Sequence, residues 1–173
     1  MSDKLYEKLH KYVKEHVNEH RYQHTLGVVE AAERYAKRFG ADIEKARIAA
    51  IFHDACKSEG PLGHGPAAAK KLEEKFKVTD PDILNAIKYH TIGRANMSLL
   101  ERVIKCADLT DKTRDYPKVQ YYRDRLNTED DMNPILLEMM YECKQIIEDR
   151  GEEFNQSSKE CIEWLEKEVN NKE

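Results

Sequence analysis

The chain has 173 residues, 36% of them charged, with only 7 Gly and 5 Pro and a net charge of -4. That length suits one domain with a sizeable core, and the acidic balance argues against a general nucleic-acid binder, which would show a basic surplus or stripe. The opening Ser2-Asp3-Lys4 is charged and no apolar run approaches the roughly 20 residues that span a bilayer, so a cytoplasmic protein with no membrane partner is expected.

Ala, Leu, Glu and Lys recur at helical spacing and predict an all-α fold of about nine helices. Ser2 or Asp3 caps a first helix with Leu5, Leu9, Tyr12 and Val13 on one face, and its histidines His10, His16 and His20 are read as solvent-side. A second helix, about Arg21 to Phe39, is stopped by Gly40 and carries His24 near its apolar stripe. Taken alone, His24 reads more readily as a satisfied core histidine than as a ligand. Asp42 caps a third helix expected to run to Lys57 through Ile48-Ala49-Ala50-Ile51-Phe52-His53-Asp54. An imidazole and a carboxylate ending an apolar run need a compensating charge, because burying either without a partner costs several kcal/mol. Lys57 follows Asp54 by three and is expected to share its face.

A loop over Ser58 to Gly65 places His64 between two glycines, and a fourth helix is expected from Pro66 to Phe76. Asp80-Pro81 starts a fifth, whose stripe of Ile83, Leu84 and Ile87 leads to His90. Ser98 and Glu101 form a capping box for a sixth, whose stripe reaches Asp108. Beyond Thr113 come a polar helix over Pro117 to Leu126, a longer one from Asn133-Pro134 to Gly151 and a last from Ser157, with apolar stripes that read as core. The four cysteines lack CxxC pairing and read as free thiols.

Four helices and one loop therefore each deliver a metal-competent group at the end or inner face of an apolar stripe: His24, His53, Asp54, His64, His90 and Asp108. Imidazole and carboxylate without thiolate favour six-coordinate ions, iron or manganese before zinc or magnesium. Asp54 is placed to bridge two ions, one held by His24, His53 and Asp108 and the other by His64 and His90.

In this order the residues resemble the HD-domain metal-dependent phosphohydrolase superfamily, with its helical His, later His-Asp pair and distal Asp. More closely, the chain is similar to the bacterial symmetrical diadenosine-tetraphosphate hydrolases of the YqeK type. The resemblance rests on Arg21-Tyr22-Gln23-His24-Thr25-Leu26-Gly27-Val28, His53-Asp54-Ala55-Cys56-Lys57, His64-Gly65-Pro66, Ala86 to Arg94, Met97 to Glu101 and Ala107-Asp108. One departure is Leu109-Thr110-Asp111, where an apolar, Glu-Pro type continuation is expected.

The resemblance implies a single HD-type domain over 1–173, with a metal-site core at about 21–117 and a helical extension at about 118–173. It implies symmetrical cleavage of diadenosine tetraphosphate to two ADP, a metal-activated water attacking an inner phosphorus. His53 and Asp54 form the expected catalytic pair, one or two divalent ions the cofactor, with iron first. Lys57, Arg94 and Arg114 are the expected phosphate holders, and Tyr89, Tyr121 and Tyr122 the candidates for stacking on a base. The alternatives are a nucleotidase or deoxynucleotide phosphohydrolase, a di-iron oxygenase, and a non-catalytic nucleotide-binding protein. A homodimer is expected from the amphipathic C-terminal helices.

Overall fold

The computed structural model describes residues 2–172, and every regular element among them is helical. Nine α-helices follow in order: α1 (Ser2–His16), α2 (Glu19–Phe39), α3 (Ile43–Phe52), α4 (His64–Phe76), α5 (Pro81–Lys88), α6 (Leu99–Thr110), α7 (Val119–Thr128), α8 (Asn133–Asp149) and α9 (Gln156–Asn170). A 3-10 turn spans Lys57–Glu59.

The centre of the bundle is α2, which packs chiefly on α3 and α6. Small buried residues make this possible: Ala31, Ala32 and Ala36 on α2, and Ala46, Ala49 and Ala50 on α3. With so little side chain between them, neighbouring helices approach closely and bury backbone surface as well as apolar side chains. The caps act as the sequence signals imply. Asn18, Asp42, Asp80 and Asn155 each accept a backbone N–H from the first turn of the helix they precede, and Ser98 and Glu101 form the reciprocal capping box.

Two boundaries differ from expectation, and both lie at the site. Helix α3 ends at Phe52 instead of reaching Lys57, so His53 and Asp54 occupy a turn and Lys57 does not share a helical face with Asp54. Helix α4 begins at His64 instead of Pro66, so His64 is helical and not part of the loop. In both places a histidine satisfies a nearby backbone carbonyl, a local bond that hydrophobic spacing does not announce.

The C-terminal helices α8 and α9 pack on each other, and the Ser157 and Ser158 hydroxyls donate to the carbonyls of Gly93 and Ile92, both at 2.6 Å. These bonds tie α9 to the segment between α5 and α6. No helix among the described residues is long and apolar enough to cross a membrane.

Candidate metal centre

His24, His53, Asp54, His64 and His90 are all at most 3% exposed, and Asp108 lies beside them. Donor atoms of His24, His53, Asp54 and Asp108 fall within 4.8 Å of one another, and so do those of Asp54, His64 and His90. Asp54 belongs to both groups.

Helix ends orient three of the imidazoles. His53 Nδ1 donates to the Ala50 carbonyl at 2.6 Å, His90 Nδ1 to that of Ile87 at 2.6 Å, and His64 Nδ1 to that of Gly60 at 2.8 Å. These carbonyl contacts assign the ring proton to Nδ1 and turn each Nε2 lone pair inward. Two consequences follow. His64 Nε2 and His90 Nε2 face each other at 2.9 Å, with Asp54 Oδ1 at 3.3 and 3.4 Å from them. His53 Nε2 and Asp54 Oδ1 are buried without a hydrogen-bond partner. Acceptors crowded together in a dry interior repel one another, and a cation between them removes the cost. The donor set of imidazole nitrogen and carboxylate oxygen fits a divalent ion.

Packing brings the helices close enough for this. A Cβ on Gly65 would meet the Lys88 carbonyl oxygen at 2.7 Å, so only glycine lets the start of α4 press against the end of α5 and set His64 opposite His90.

The electrostatics of the metal-free protein are those of charges forced together. Burial opposes ionisation of Asp54, but the His53 charge and contacts with His64 and His90 outweigh it and hold the carboxyl well below its usual range. Asp108 is lowered likewise, burial being overcome by His24 and His53. Burial also disfavours a charged His53, yet Asp54 and Asp108 raise it to about 9. His90 moves the other way, because burial prevails over its contact with Asp54.

The expected phosphate holders lie in different surroundings. Arg114 is at the cluster, its Nε donating to the Asp108 carbonyl at 2.8 Å and its Nη2 to Asp108 Oδ1 at 3.2 Å. Lys57 lines a cavity of about 320 Å³ that also holds Arg21. Arg94 makes its contacts elsewhere: Nε and Nη2 donate to both carboxylate oxygens of the buried Glu101, and its guanidinium stacks over Tyr89. Of the tyrosines, Tyr122 is fully buried in the core and cannot stack on a base, and Tyr121 packs against Tyr122 and Arg125.

Two residues at the site escape the sequence reading. Arg21 Nη1 donates to Asp54 Oδ2 at 2.9 Å, from the first turn of α2. Asp111, fully buried, sets Oδ2 at 2.9 Å from His24 Nδ1, while its Oδ1 accepts from the backbone N–H and hydroxyl of Thr113. A Cβ at Gly27 would lie 2.5 Å from Asp111 Oδ1, so the α2 glycine makes room for this carboxylate. Asp111 sits in the stretch that departs from the expected continuation, and an acidic residue there was its only sequence signal.

A family model for the HD domain matches residues 21–113. A Bacillus subtilis protein named bis(5'-nucleosyl)-tetraphosphatase, symmetrical, is 40% identical over 140 residues, which cover 68% of this chain and 74% of that protein. One of the same name from Halalkalibacterium halodurans is 39% identical over 131 residues, 63% of this chain and 70% of the relative. Among solved structures, a protein from Clostridium acetobutylicum described as a predicted HD superfamily hydrolase involved in NAD metabolism superposes with a TM-score of 0.86 at 31% identity, over 94% of this chain and 97% of that one. The matched span holds all six clustered groups, His24, His53, Asp54, His64, His90 and Asp108, and on this agreement of sequence and fold the chain belongs to the HD-domain family, in the branch of the symmetrical bis(5'-nucleosyl)-tetraphosphatases.

Proposed function

We propose that this protein is a metal-dependent phosphohydrolase that cleaves diadenosine tetraphosphate symmetrically to two ADP. The observation that carries the reading is the pair of buried, unpartnered acceptors, His53 Nε2 and Asp54 Oδ1, at the meeting point of six ligand-competent groups. The names of the relatives supply the substrate class.

In this reading His24, His53, Asp54 and Asp108 would hold one divalent ion, and Asp54, His64 and His90 would hold a second. Iron is the metal we propose first, on the all-imidazole and carboxylate donor set, with manganese next. When bound, such ions lower the pKa of water toward neutrality and neutralise charge on phosphoryl oxygens. The chain's own residues do the rest. Arg21 holds Asp54 in place, Asp111 holds His24, and Arg114 presents a guanidinium edge to phosphate beside Asp108. Lys57 offers a second cation through the cavity it shares with Arg21. Arg94, committed to Glu101, supports the fold. The bonds from Ser157 and Ser158 to the α5–α6 connection favour one domain over 1–173, with α7–α9 as an extension of the metal-bearing core.

The test is product chromatography after incubating the purified protein with diadenosine tetraphosphate and iron, manganese, cobalt or magnesium in turn. ADP as sole product supports the reading; ATP with AMP, or no turnover with any ion, refutes it. Including NAD, deoxynucleotides and mononucleotides as substrates, and an oxygen electrode, decides against the other hydrolase readings and the di-iron oxygenase. Size-exclusion chromatography checks the expected homodimer.

A further inference from the structure

Two cavities each include in their walls a residue that touches the candidate metal centre. The larger, about 910 Å³, includes Thr91, Lys105, Arg150, Phe154 and Gln156 in its walls, and the smaller, about 580 Å³, includes Arg114, Tyr116, Met139 and Ile146. Both volumes suit a nucleoside-sized ligand. Cys143 on α8 lines both, and its thiol feels the charges of Lys105, Asp108 and Arg114. The two cavities therefore have Cys143 as a common wall residue.

Each cavity reaches a different half of the cluster. Thr91, in the wall of the larger, places Oγ1 at 3.2 Å from His64 Nε2, whereas Arg114, in the wall of the smaller, donates to Asp108 Oδ1 at 3.2 Å. Asp54 links these halves, with His64 on one side and His24 and His53 on the other. Each wall has one aromatic ring, the largely buried Phe154 or the partly buried Tyr116, and one cation on the side of the cluster, Lys105 or Arg114; the larger adds Arg150 with Glu59, Glu152 and Glu153, the smaller Lys118 with Glu142. Buried Lys105 donates to the carbonyls of His90 and Thr91, which leaves one of its three N–H groups for a ligand.

We infer that the cavities are two lobes of one cleft, that the two nucleosides of a dinucleoside polyphosphate occupy one lobe each, and that the phosphate chain crosses the waist at Cys143 between Lys105 and Arg114. The inference rests on the phosphohydrolase reading and deepens it. Cleavage in the middle of a symmetrical molecule requires equal lengths of chain on either side of the reacting phosphorus, and a lobe at each end of the cluster enforces that registration. A pocket for one nucleoside would hold one end and leave the other in solvent.

The experiment fills each lobe separately with an uncharged ring at an exposed position, Gln156→Trp in the larger and Ile146→Trp in the smaller, so that neither the phosphate field nor the core is altered. Circular dichroism melts confirm folding. KM for diadenosine tetraphosphate is measured beside the inhibition constant of adenosine 5'-tetraphosphate, which has a single nucleoside. Each variant is expected to raise KM about tenfold, the loss of one stacked base, while only one of the two raises the inhibition constant. Unchanged KM in either variant overturns the two-lobe assignment, as does a parallel shift of both ligands in both variants. A wild-type protein that leaves the dinucleotide intact instead sinks the phosphohydrolase reading, and the lobe assignment with it.

Discussion

Asp111→Asn isolates the contact between a buried carboxylate and His24 with the least change of shape. Oδ1 accepts two hydrogen bonds from Thr113, at 2.9 and 2.7 Å, so the asparagine carbonyl takes that position and its NH2 takes the place of Oδ2. That group then faces His24 Nδ1 across 2.9 Å and Arg114 Nε across 3.7 Å, donor against donor. The imidazole relieves the clash by moving its proton to Nε2, the nitrogen that points at Asp108 Oδ1 from 2.9 Å and is needed as a ligand. Loss of such an outer partner typically costs about 10–100-fold in metal affinity, or roughly 1.4–2.7 kcal/mol. Competition with a chelator of known affinity, followed by elemental analysis of the protein fraction, measures this without reference to turnover. An Asp111→Asn protein that folds and holds its metal as tightly as the wild type refutes the proposed orienting role.

Four other outcomes are expected. Gly65→Ala presses a Cβ to 2.7 Å from the Lys88 carbonyl, a backbone atom that cannot swing aside, and overpacking of this kind costs about 1–3 kcal/mol; a thermal melt should show Tm lowered by several degrees, and an unchanged Tm contradicts the close α4–α5 packing. Arg94→Ala leaves the buried carboxylate of Glu101 without a counter-charge, its Oε2 still accepting the Ser98 N–H, at a cost of roughly 1–3 kcal/mol, so Tm falls while KM per folded molecule holds; a raised KM at unchanged Tm restores the phosphate role to Arg94. In the metal-free protein His53 is raised from 6.5 to about 9, so its stabilisation is complete below pH 6.5 and is lost as pH rises through 9. Denaturant midpoints of chelator-treated protein should fall across that window, and a flat profile argues against a charged His53. Burial pushes the Cys106 thiol up to about 12, so iodoacetamide at pH 8 should spare it in the folded protein and modify it after unfolding; rapid native labelling at Cys106, read by peptide mass, contradicts its place in the core.

Much of the bundle is written locally. Caps such as Asp42 and Asp80, the Ser98–Glu101 box, the stop at Gly40 and the apolar stripes are interactions between residues a few positions apart, so residue order alone marks where helices begin and which face is buried. The six chemistry-bearing groups were legible for a related reason, since an imidazole or carboxylate at the end of an apolar stripe has to find a compensating partner. Which atoms meet was decided only by the tertiary structure. The end of α3 at Phe52 and the start of α4 at His64 coincide with imidazole bonds to nearby backbone carbonyls, and the contacts of Asp111, Arg21 and Arg94 are made across helices or around a loop. Gly27 shows the difference most plainly: nothing around it in the sequence calls for glycine, and the need arises because a carboxylate 84 positions further along, on the far side of α6, occupies the space its Cβ would take. Hydrophobic periodicity sets which side of a helix turns inward, but the identity of the neighbour found there depends on how all the helices pack at once.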